Sequence, residues 1–394
     1  MRNVLVTDGE QRAALAIVRS LGRAGYRPIV ASAAGRSLAG SSRFAAGEAS
    51  VPHPLDHPEG FGEAVLQLAR NRRAQLVLPS TDAALLALLP LRDKLGDTAL
   101  PFVDAVHFRR ISDKALLMAT APGVGIAVPR QCPARDRRAA EAVARSGLAY
   151  PLVLKPSRSV ADGANGRVKL GVRHALDPRG LTAALADLPE AAYPLLLQER
   201  IVGPGIGVFL LLWDGELKAA FSHRRIREKP PSGGVSVYRE SVALDPELLA
   251  RSRALLDRFE WNGVAMIEYK IDDKTGTPYL MEINGRFWGS LQLAIDAGVD
   301  FPALLAALAF GDDPDPVVTY RVGVRSRWWL GDLDHVIARV RRTPADLALP
   351  PGAPPRWRAI ADFLTVRPGD RSEILRLDDP RPFFHEAGQW LRGR

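Results

Sequence analysis

The residues best suited to chemistry stand on two apolar segments that flank a turn at 272–276. The first segment carries Glu268, and the second carries Glu282, Asn284 and Arg286. On a β-strand, residues two apart project from one face, so Glu282 and Asn284 share a face, and Arg286 shares it too if the strand continues. If the two strands pair antiparallel around the turn, Glu268 lies near Glu282, and two carboxylates converge with an amide oxygen.

Oxygen ligands of this kind suit a divalent cation. Magnesium takes hard oxygen ligands, usually one or two protein carboxylates together with substrate phosphates. Glu268, Glu282 and Asn284 are therefore candidate Mg²⁺ ligands, and Arg286 is a candidate for stabilising charge on a transferring phosphoryl group. The alternative is a hairpin with a polar, solvated face, which explains the alternation but not the order Glu, Asn, Arg.

Two lysines are placed to contact phosphate. Lys155 ends an apolar strand that begins at Pro151, beside a loop over 157–171 that is rich in Gly, Ser, Ala and Asn. A strand-end ammonium next to such a loop, whose backbone N–H groups are further donors, is typical of phosphate sites. Lys114 stands in the first turn of a predicted helix with Ser112 as N-cap, where the helix dipole disfavours a cation unless an anion binds nearby. A snorkelling lysine and an exposed helix lysine are the alternatives.

Two further segments are candidates for ligand binding. Residues 198–201 (Gln-Glu-Arg-Ile) end a strand and enter a glycine turn, where a strand edge offers backbone N–H and C=O groups to a flat heterocycle. Residues 223–234 are predicted to be a polar loop that carries the substrate candidates Arg224, Arg225 and Glu228. This loop either holds an anionic group or is a solvated charged turn.

The elements that position these residues are typical of an α/β protein. In residues 1–105, short apolar strands alternate with amphipathic helices, which predicts a small parallel-sheet, Rossmann-like domain. The single glycine after its first strand does not form a GxGxxG dinucleotide motif. Ser80 and Asp82 follow a strand of this domain, at the end where α/β sheets bind ligands, and are candidate substrate contacts. The stretch from about 320 is predicted to be helical decoration on the main body.

Composition narrows the class of protein. The chain has 394 residues, 47% hydrophobic and 25% charged, which is ordinary for a soluble globular protein. Its net charge is +9, but only eight of the 53 basic residues are lysine. An arginine bias of this kind is typical of a GC-rich genome, and no nucleic-acid recognition module accompanies it, so we expect no nucleic-acid partner.

Cys132 is the only cysteine, which excludes an intramolecular disulfide and a zinc cluster. We see no signal peptide and no membrane span, so we expect a cytoplasmic protein without a membrane partner.

Taken in order along the chain, these motifs resemble the ATP-grasp superfamily. The resemblance rests on Lys114, the Pro151–Pro156 strand with Lys155, the small-residue loop, Gln198-Glu199, Met266-Ile-Glu268 and Met281-Glu-Ile-Asn-Gly-Arg286, and it covers about residues 112–310. The stretches MEINGRFWGSLQLAIDAGVDFP and HRRIREKPPSGG look like the carboxylate–amine ligase branch.

The resemblance implies a domain plan. An N-terminal α/β domain over 1–105 precedes an ATP-grasp domain over 106–315, and a C-terminal extension covers 316–394. The ATP-grasp domain would have a lid lobe at about 115–197 and a metal-binding lobe at about 198–310.

The resemblance also implies roles for individual residues. Mg²⁺, with Mn²⁺ as an alternative, would be held by Glu268, Glu282 and Asn284, and Arg286 would steady the transferring phosphoryl group or the acyl phosphate. The ATP contacts would be Lys114, Lys155, Ser157, Gly163, Gly166, Glu199 and Ile201. Two features depart from the family pattern: no acid follows the hinge glycine to bind the ribose, and the phosphate loop has only two glycines in its centre.

The reaction implied is the phosphorylation of a carboxylate by ATP, followed by attack of an amine on the acyl phosphate. The partners would be ATP and small-molecule carboxylate and amine substrates, and a homodimer is an option because many relatives form dimers. A carboxylase-type subunit that activates bicarbonate is the alternative enzyme, and a non-catalytic nucleotide-binding module is the alternative outside enzymes.

Overall fold

A computed structural model describes residues 1–143, 147–163, 166–350 and 352–393. Its strands and helices follow each other in this order: β1 (Asn3–Val6), α1 (Arg12–Arg23), β2 (Arg27–Ser32), β3 (Gly47–Ser50), α2 (Pro58–Asn71), β4 (Leu76–Leu78), α3 (Asp82–Leu88), α4 (Ala105–Ser112), α5 (Lys114–Thr120), β5 (Gln131–Ala134), α6 (Arg137–Ala142), β6 (Leu152–Pro156), β7 (Val160–Gly163), β8 (Gly166–Lys169), β9 (Arg173–Ala175), α7 (Pro178–Ala186), β10 (Leu195–Glu199), β11 (Gly205–Trp213), β12 (Glu216–Lys229), β13 (Val235–Ser241), α8 (Pro246–Arg258), β14 (Gly263–Ile271), β15 (Pro278–Asn284), α9 (Leu291–Ala297), α10 (Phe301–Ala309), β16 (Arg325–Arg327), α11 (Trp329–Arg341), α12 (Arg356–Leu364), β17 (Asp370–Ser372) and α13 (Arg381–Arg392).

The N-terminal part is a parallel four-stranded sheet, which confirms the α/β prediction for this region. Its strand order is β3-β2-β1-β4, and all three pairings are parallel. The strand β1 is buried through Val4, Leu5 and Val6, as expected for a strand covered on both faces. The edge strand β3 escaped prediction because its sequence, Gly-Glu-Ala-Ser, has almost no apolar character.

A second sheet, β5-β10-β6-β9, is antiparallel and carries its own small core with α6 and α7. The leucines of β6 and β10 that face this core are Leu152, Leu154, Leu195 and Leu197. The small-residue loop predicted over 157–171 is largely a β-hairpin, formed by β7 and β8. Alternate residues of this hairpin are small or charged rather than apolar, so its strands lack the usual pattern; residues 164 and 165 lie outside the described residues.

The third sheet has the strand order β15-β14-β11-β12-β13-β16-β17. Strands β11 and β12 form a hairpin that turns at Asp214-Gly215, and both residues have positive φ (49° and 79°), as a two-residue turn of this kind requires. The prediction of a polar loop over 223–234 is wrong for most of its length, because β12 continues to Lys229 and pairs with β13. Charged residues form a strand here because each face of it meets oppositely charged partners, such as Glu240 for Arg224.

The C-terminal stretch is more than the helical decoration predicted. Its strands β16 and β17 extend the third sheet, and α11 packs on β12 and β13. The stretch also contacts the N-terminal part through a buried ion pair, in which Arg19 of α1 donates from Nε to Asp379 at 2.8 Å. The predicted domain boundaries at 105/106 and 315/316 stay predictions, and α4 crosses the first of them.

Helices α9 and α10 contribute to the main core, which also takes in the N-terminal sheet and the third sheet. Within the described ranges, no single helix has the length and apolar composition to cross a membrane; α9 and α10 meet those criteria only as a pair, bent by 91°.

The ion pair between Arg19 and Asp379 generates a stability prediction. Both side chains are fully buried, and removing one partner of such a pair leaves an uncompensated charge, so Asp379→Ala should lower the free energy of unfolding by about 3–5 kcal/mol. The neighbouring pair, Arg23 with Asp378 at 2.8 Å, is exposed and supplies the control. Asp378→Ala should cost only about 0–1 kcal/mol. Urea unfolding followed by tryptophan fluorescence measures both, and equal effects would contradict the assignment.

Candidate functional site

A well-defined cavity lies where the second and third sheets face each other. It has a volume of about 620 Å³ and takes residues from β6, β10, β12, β14 and β15. The segment that follows β15 also lines it, from Arg286 to Ser290, as does Arg12 of α1. A smaller cavity of about 160 Å³ shares Asn284 with the first.

Two carboxylates face each other at the centre of this cavity. The register of β14 and β15 pairs Glu268 with Glu282 and Met266 with Asn284, so the antiparallel arrangement expected around the 272–276 turn is present. Asn284 lies two residues beyond Glu282 and donates from Nδ2 to its Oε1 at 3.3 Å. The three oxygen-bearing side chains therefore converge from two hydrogen-bonded strands.

Cations from three other elements surround the carboxylate pair. Lys114, the first residue of α5, places Nζ 3.4 Å from Glu282 Oε2 and 2.9 Å from Ser159 Oγ. Arg225 of β12 donates to Glu268 Oε2 at 2.5 Å and to Glu228 Oε1 at 2.7 Å. Bulges in β12 after Arg225 bring Glu228 to the same side, although the two residues are three apart.

The second lysine, Lys155 of β6, is buried at the same place. Its Nζ lies 3.7 Å from Met281 Sδ, next to Glu282 in the sequence. Burial lowers the pKa of Lys155 to about 8, and Glu282 opposes this effect. For Glu282, burial favours the neutral acid, but Lys114 and Lys155 outweigh it and lower the pKa to about 2. Burial raises the pKa of Glu268 despite the guanidinium of Arg225.

The N-terminal sheet reaches this site through Asp82. Arg286 donates from Nε to Asp82 Oδ2 at 2.9 Å and from Nη2 to Asn284 Oδ1 at 3.1 Å. Asp82 is the first residue of α3, directly after the loop that follows β4. The structure therefore places Asp82, a substrate candidate, against Arg286.

The cap of the helix that carries Lys114 differs from the prediction. Ser112 is not its N-cap: it ends α4, and its hydroxyl donates to the carbonyl of Phe108 at 2.7 Å. The cap is Asp113, whose carboxylate accepts from the N–H groups of Ala115 and Leu116. Aspartate at this position stabilises the helix start, where Lys114 would otherwise be unfavourable.

The donor set fits magnesium. Mg²⁺ is usually held by one or two carboxylates and completed by water and substrate phosphate. Glu268, Glu282 and Asn284 supply two carboxylates and an amide oxygen on one strand pair. No cluster of three or more His, Cys, Asp or Glu able to hold a metal occurs within the described ranges, so a metal here would depend on further ligands from the nucleotide.

Glu199 and Ile201, the predicted adenine contacts, line the same cavity. The Glu199 carboxylate turns to the second sheet, where it accepts from the N–H of Ala149 at 2.8 Å and pairs with Arg130 at 3.2 Å. Its own N–H donates to the Arg130 carbonyl at 2.9 Å. The contacts of Glu199 therefore hold residues 198–201 against the second sheet, and Ile201 also lines the cavity.

Several predicted site residues lie elsewhere. Ser80 is buried, and its N–H donates to Asp8 Oδ2 at 3.0 Å. This bond joins the loop after β4 to the loop after β1. Arg224 points to the opposite face of β12 from Arg225, where it pairs with Glu240 at 2.9 Å. None of these side chains lines either of the two cavities described above.

Three of the predicted ATP contacts, Ser157, Gly163 and Gly166, also lie outside the cavities, although other residues of the 157–171 segment line them. Ser157 is buried and accepts the N–H of Lys114 on its carbonyl at 2.9 Å, which ties the two lysine-bearing segments together. Gly163 and Gly166 pair at the end of the β7–β8 hairpin, and Gly166 (φ 114°) packs against the backbone of the N-terminal part. There Arg167 donates its N–H to the Leu55 carbonyl at 2.6 Å.

Sequence reasoning missed the wall formed by Arg12, Trp288, Gly289 and Ser290. Arg12 follows β1 by six residues, and the other three follow the metal-type motif directly. The position of Trp288-Gly-Ser immediately after Asn284-Gly-Arg286 was a usable signal, because a segment leaving a ligand-bearing strand tends to line the same site. Nothing in the local pattern connects Arg12 to it.

Comparisons with known proteins agree with this architecture. A family model described as ATP-grasp in the biosynthetic pathway with Ter operon matches residues 191–330. None of the curated proteins is similar to this chain in sequence. Among solved structures, an L-amino acid ligase from Bacillus licheniformis is 20% identical with a TM-score of 0.60, over 78% of this chain and 74% of that one.

Two further solved structures are similar over 82% of this chain. The biotin carboxylase domain of the Hydrogenobacter thermophilus 2-oxoglutarate carboxylase, in complex with MgADP, ADP and bicarbonate, is 16% identical with a TM-score of 0.63 over 73% of its chain. The N5-carboxyaminoimidazole synthetase of Staphylococcus aureus, complexed with ADP, is 13% identical with a TM-score of 0.61 over 80% of its chain. This chain has the ATP-grasp fold.

The buried lysine generates a pH prediction. Because the pKa of Lys155 is about 8, its ammonium is present below pH 8 and is lost as the pH rises further. If it contacts phosphate, the dissociation constant for ATP, measured by calorimetry without added metal, should increase roughly 20-fold between pH 7.5 and 9.5. The Lys155→Arg variant keeps its positive charge over this pH range, so its dissociation constant for ATP should change by less than about twofold. The same steep dependence in both proteins would exclude Lys155 as its source.

Proposed function

We propose that this chain is an ATP-dependent ligase that phosphorylates a carboxylate and joins the resulting acyl phosphate to an amine. The observation that carries the proposal is the convergence of Glu268, Glu282 and Asn284 with Lys155, which lines the same cavity, and with Lys114, whose Nζ lies 3.4 Å from Glu282 Oε2. This combination is suited to a nucleoside triphosphate and its metal. Support comes also from the fold, because similar structures include an L-amino acid ligase.

The acidic and basic side chains of the site have different roles. Glu268, Glu282 and Asn284 would hold Mg²⁺, which neutralises phosphate charge and orients the γ-phosphate when bound. Lys114 and Lys155 would bind phosphate oxygens. In the structure, Glu282 balances the charge of these two lysines. Burial of these groups excludes water, so each charge–charge interaction is stronger than it would be in solvent.

The reaction has two steps. A carboxylate oxygen of the substrate attacks the γ-phosphorus, an O–P bond forms, and the bond to the β-phosphate oxygen breaks to release ADP. The amine nitrogen then attacks the acyl carbon, a C–N bond forms, the C–O bond to phosphate breaks, and the nitrogen loses a proton. Arg286, bound to Asp82 and Asn284, stabilises the charge on the transferring phosphoryl group.

The products of a trapping assay distinguish this function from its alternatives. The chain is incubated with ATP, Mg²⁺ and pools of carboxylates, with hydroxylamine as the amine. Formation of a hydroxamate with ADP supports a ligase and identifies the carboxylate. ADP released with bicarbonate alone favours the carboxylase alternative, absence of ADP with every pool favours the binding module, and AMP in place of ADP contradicts the mechanism.

A variant of Glu282 tests the metal-binding role. Glu282→Gln removes one charge from the carboxylate pair, so we expect turnover in the trapping assay to fall by at least about 100-fold with the fold retained. Circular dichroism and the unfolding midpoint check the fold.

Glu240→Gln is the matched control. Glu240 is another glutamate of the third sheet that pairs with cations, here Arg224 and Arg325, but it lies outside both cavities. This variant should keep turnover within about threefold. Wild-type turnover in Glu282→Gln would remove Glu282 from the site.

A further inference from the structure

A cation from the N-terminal part lines the cavity without a role in ATP chemistry. Arg12, near the start of α1, places its guanidinium against the backbone of Gly289: a Cβ at that position would lie 3.0 Å from Arg12 Nη2. Gly289 follows Asn284 by five residues, so Arg12 lies on the segment that leads away from the metal-type ligands. Glycine at 289 leaves the guanidinium open to the cavity.

The charge around Arg12 is not balanced. Its Nη1 donates to Glu373 Oε2 at 2.6 Å, but Arg239 contacts the same oxygen at 2.5 Å, so one carboxylate serves two guanidinium groups. Arg239 is fully buried, and Arg12 lines the cavity. Glu386 also lies near Arg12, and burial raises the pKa of Glu386 to about 7, so it carries only part of a negative charge at neutral pH.

An aromatic ring holds Arg12 in place. The guanidinium lies over the ring of Trp328 at 3.9 Å from its centre, and Lys229 lies 5.3 Å from the same centre. Lys229 is neutralised by Asp334 at 2.5 Å. The excess positive charge on this wall therefore belongs to Arg12, fixed by stacking on Trp328 and by its bond to Glu373.

Lys114 and Arg225, which lie near the metal-type ligands, differ from Arg12, because Glu282 pairs with Lys114, and Glu268 and Glu228 both pair with Arg225. An anionic group placed against Arg12 would balance the positive charge of this wall, and a guanidinium binds carboxylate and phosphate in the same bidentate manner. We propose that the carboxylate substrate carries a second anionic group, a carboxylate or a phosphate, which Arg12 binds while the first carboxylate is phosphorylated. This inference rests on the proposed function.

The test compares probes of equal length that differ in the second charge. Glutarate, pentanoate and 4-phosphonobutanoate are supplied separately to the ADP-release assay, together with their homologues from four to eight carbons. The wild type should prefer the dianionic probes by at least about tenfold in kcat/KM, and the better of the two types identifies the second group. Equal use of mono- and dianionic probes by the wild type would overturn the inference while leaving the ligase intact.

Substitutions at Arg12 assign the preference to this residue. Arg12→Gln should remove the preference for dianionic probes and leave kcat/KM for monocarboxylates within about twofold, whereas Arg12→Lys should retain part of it. Gly289→Ala, which crowds the guanidinium but keeps the ion pair with Glu373, should raise KM for the dianionic probes. Arg23→Gln is the matched control on the same helix and should behave as the wild type. An equal loss for both probe types in Arg12→Gln would instead place the reacting carboxylate at Arg12.

Direct binding separates this inference from the proposed function. Glutarate and pentanoate are titrated by calorimetry into the full chain with Mg²⁺ and a non-hydrolysable ATP analogue. If no carboxylate supports ADP release but glutarate binds the wild type and not Arg12→Gln, the ligase proposal fails and the anion site stands. If glutarate binds both proteins equally, or neither, the anion site is refuted.

Discussion

Two half-buried carboxylates held side by side are the constraint on which the rest of this structure depends. Glu268 and Glu282 occupy opposite positions of paired strands, where like charges repel each other. Their charge is tolerated because Lys114, Lys155 and Arg225 lie against them, each from a different element. The cost of desolvating these groups is offset only while all of them are in place, so the site binds the second and third sheets together electrostatically.

The supporting network extends well beyond the site. The bulge between Arg225 and Arg227 turns Arg227 to the opposite face of β12. There Arg227 donates to Asp332 of α11 at 2.7 and 2.6 Å, and Arg327 of β16 donates to the same carboxylate. The C-terminal stretch therefore fixes the end of β12 that carries Arg225 and Glu228. Other arginines serve in internal pairs of the same kind, such as Arg19 with Asp379 and Arg239 with Glu373.

The parts of the site that were predictable depend on strands with a strict alternation. Glu282 and Asn284 could be assigned to one face, and Glu268 to its partner strand, because both strands are short, apolar and joined by a turn. The strand formed by 223–229 could not be predicted, since its charged residues find partners on elements distant in sequence, and the bulges that bring Arg225 and Glu228 together leave no local pattern. The position of Arg12 in the site could not be predicted for the same reason, because its neighbours Gly289 and Trp328 are hundreds of residues away in the sequence.

The proposed function requires that ATP energy pass through an acyl phosphate formed beside these carboxylates and cations. The most direct measurement uses the carboxylate that supports ADP release, labelled with ¹⁸O in its carboxylate group, together with ATP and the amine. If an acyl phosphate forms, one labelled oxygen leaves with the phosphate, and ³¹P NMR or mass spectrometry will detect ¹⁸O in the inorganic phosphate. Inorganic phosphate free of label, in the presence of amide product, would contradict the account.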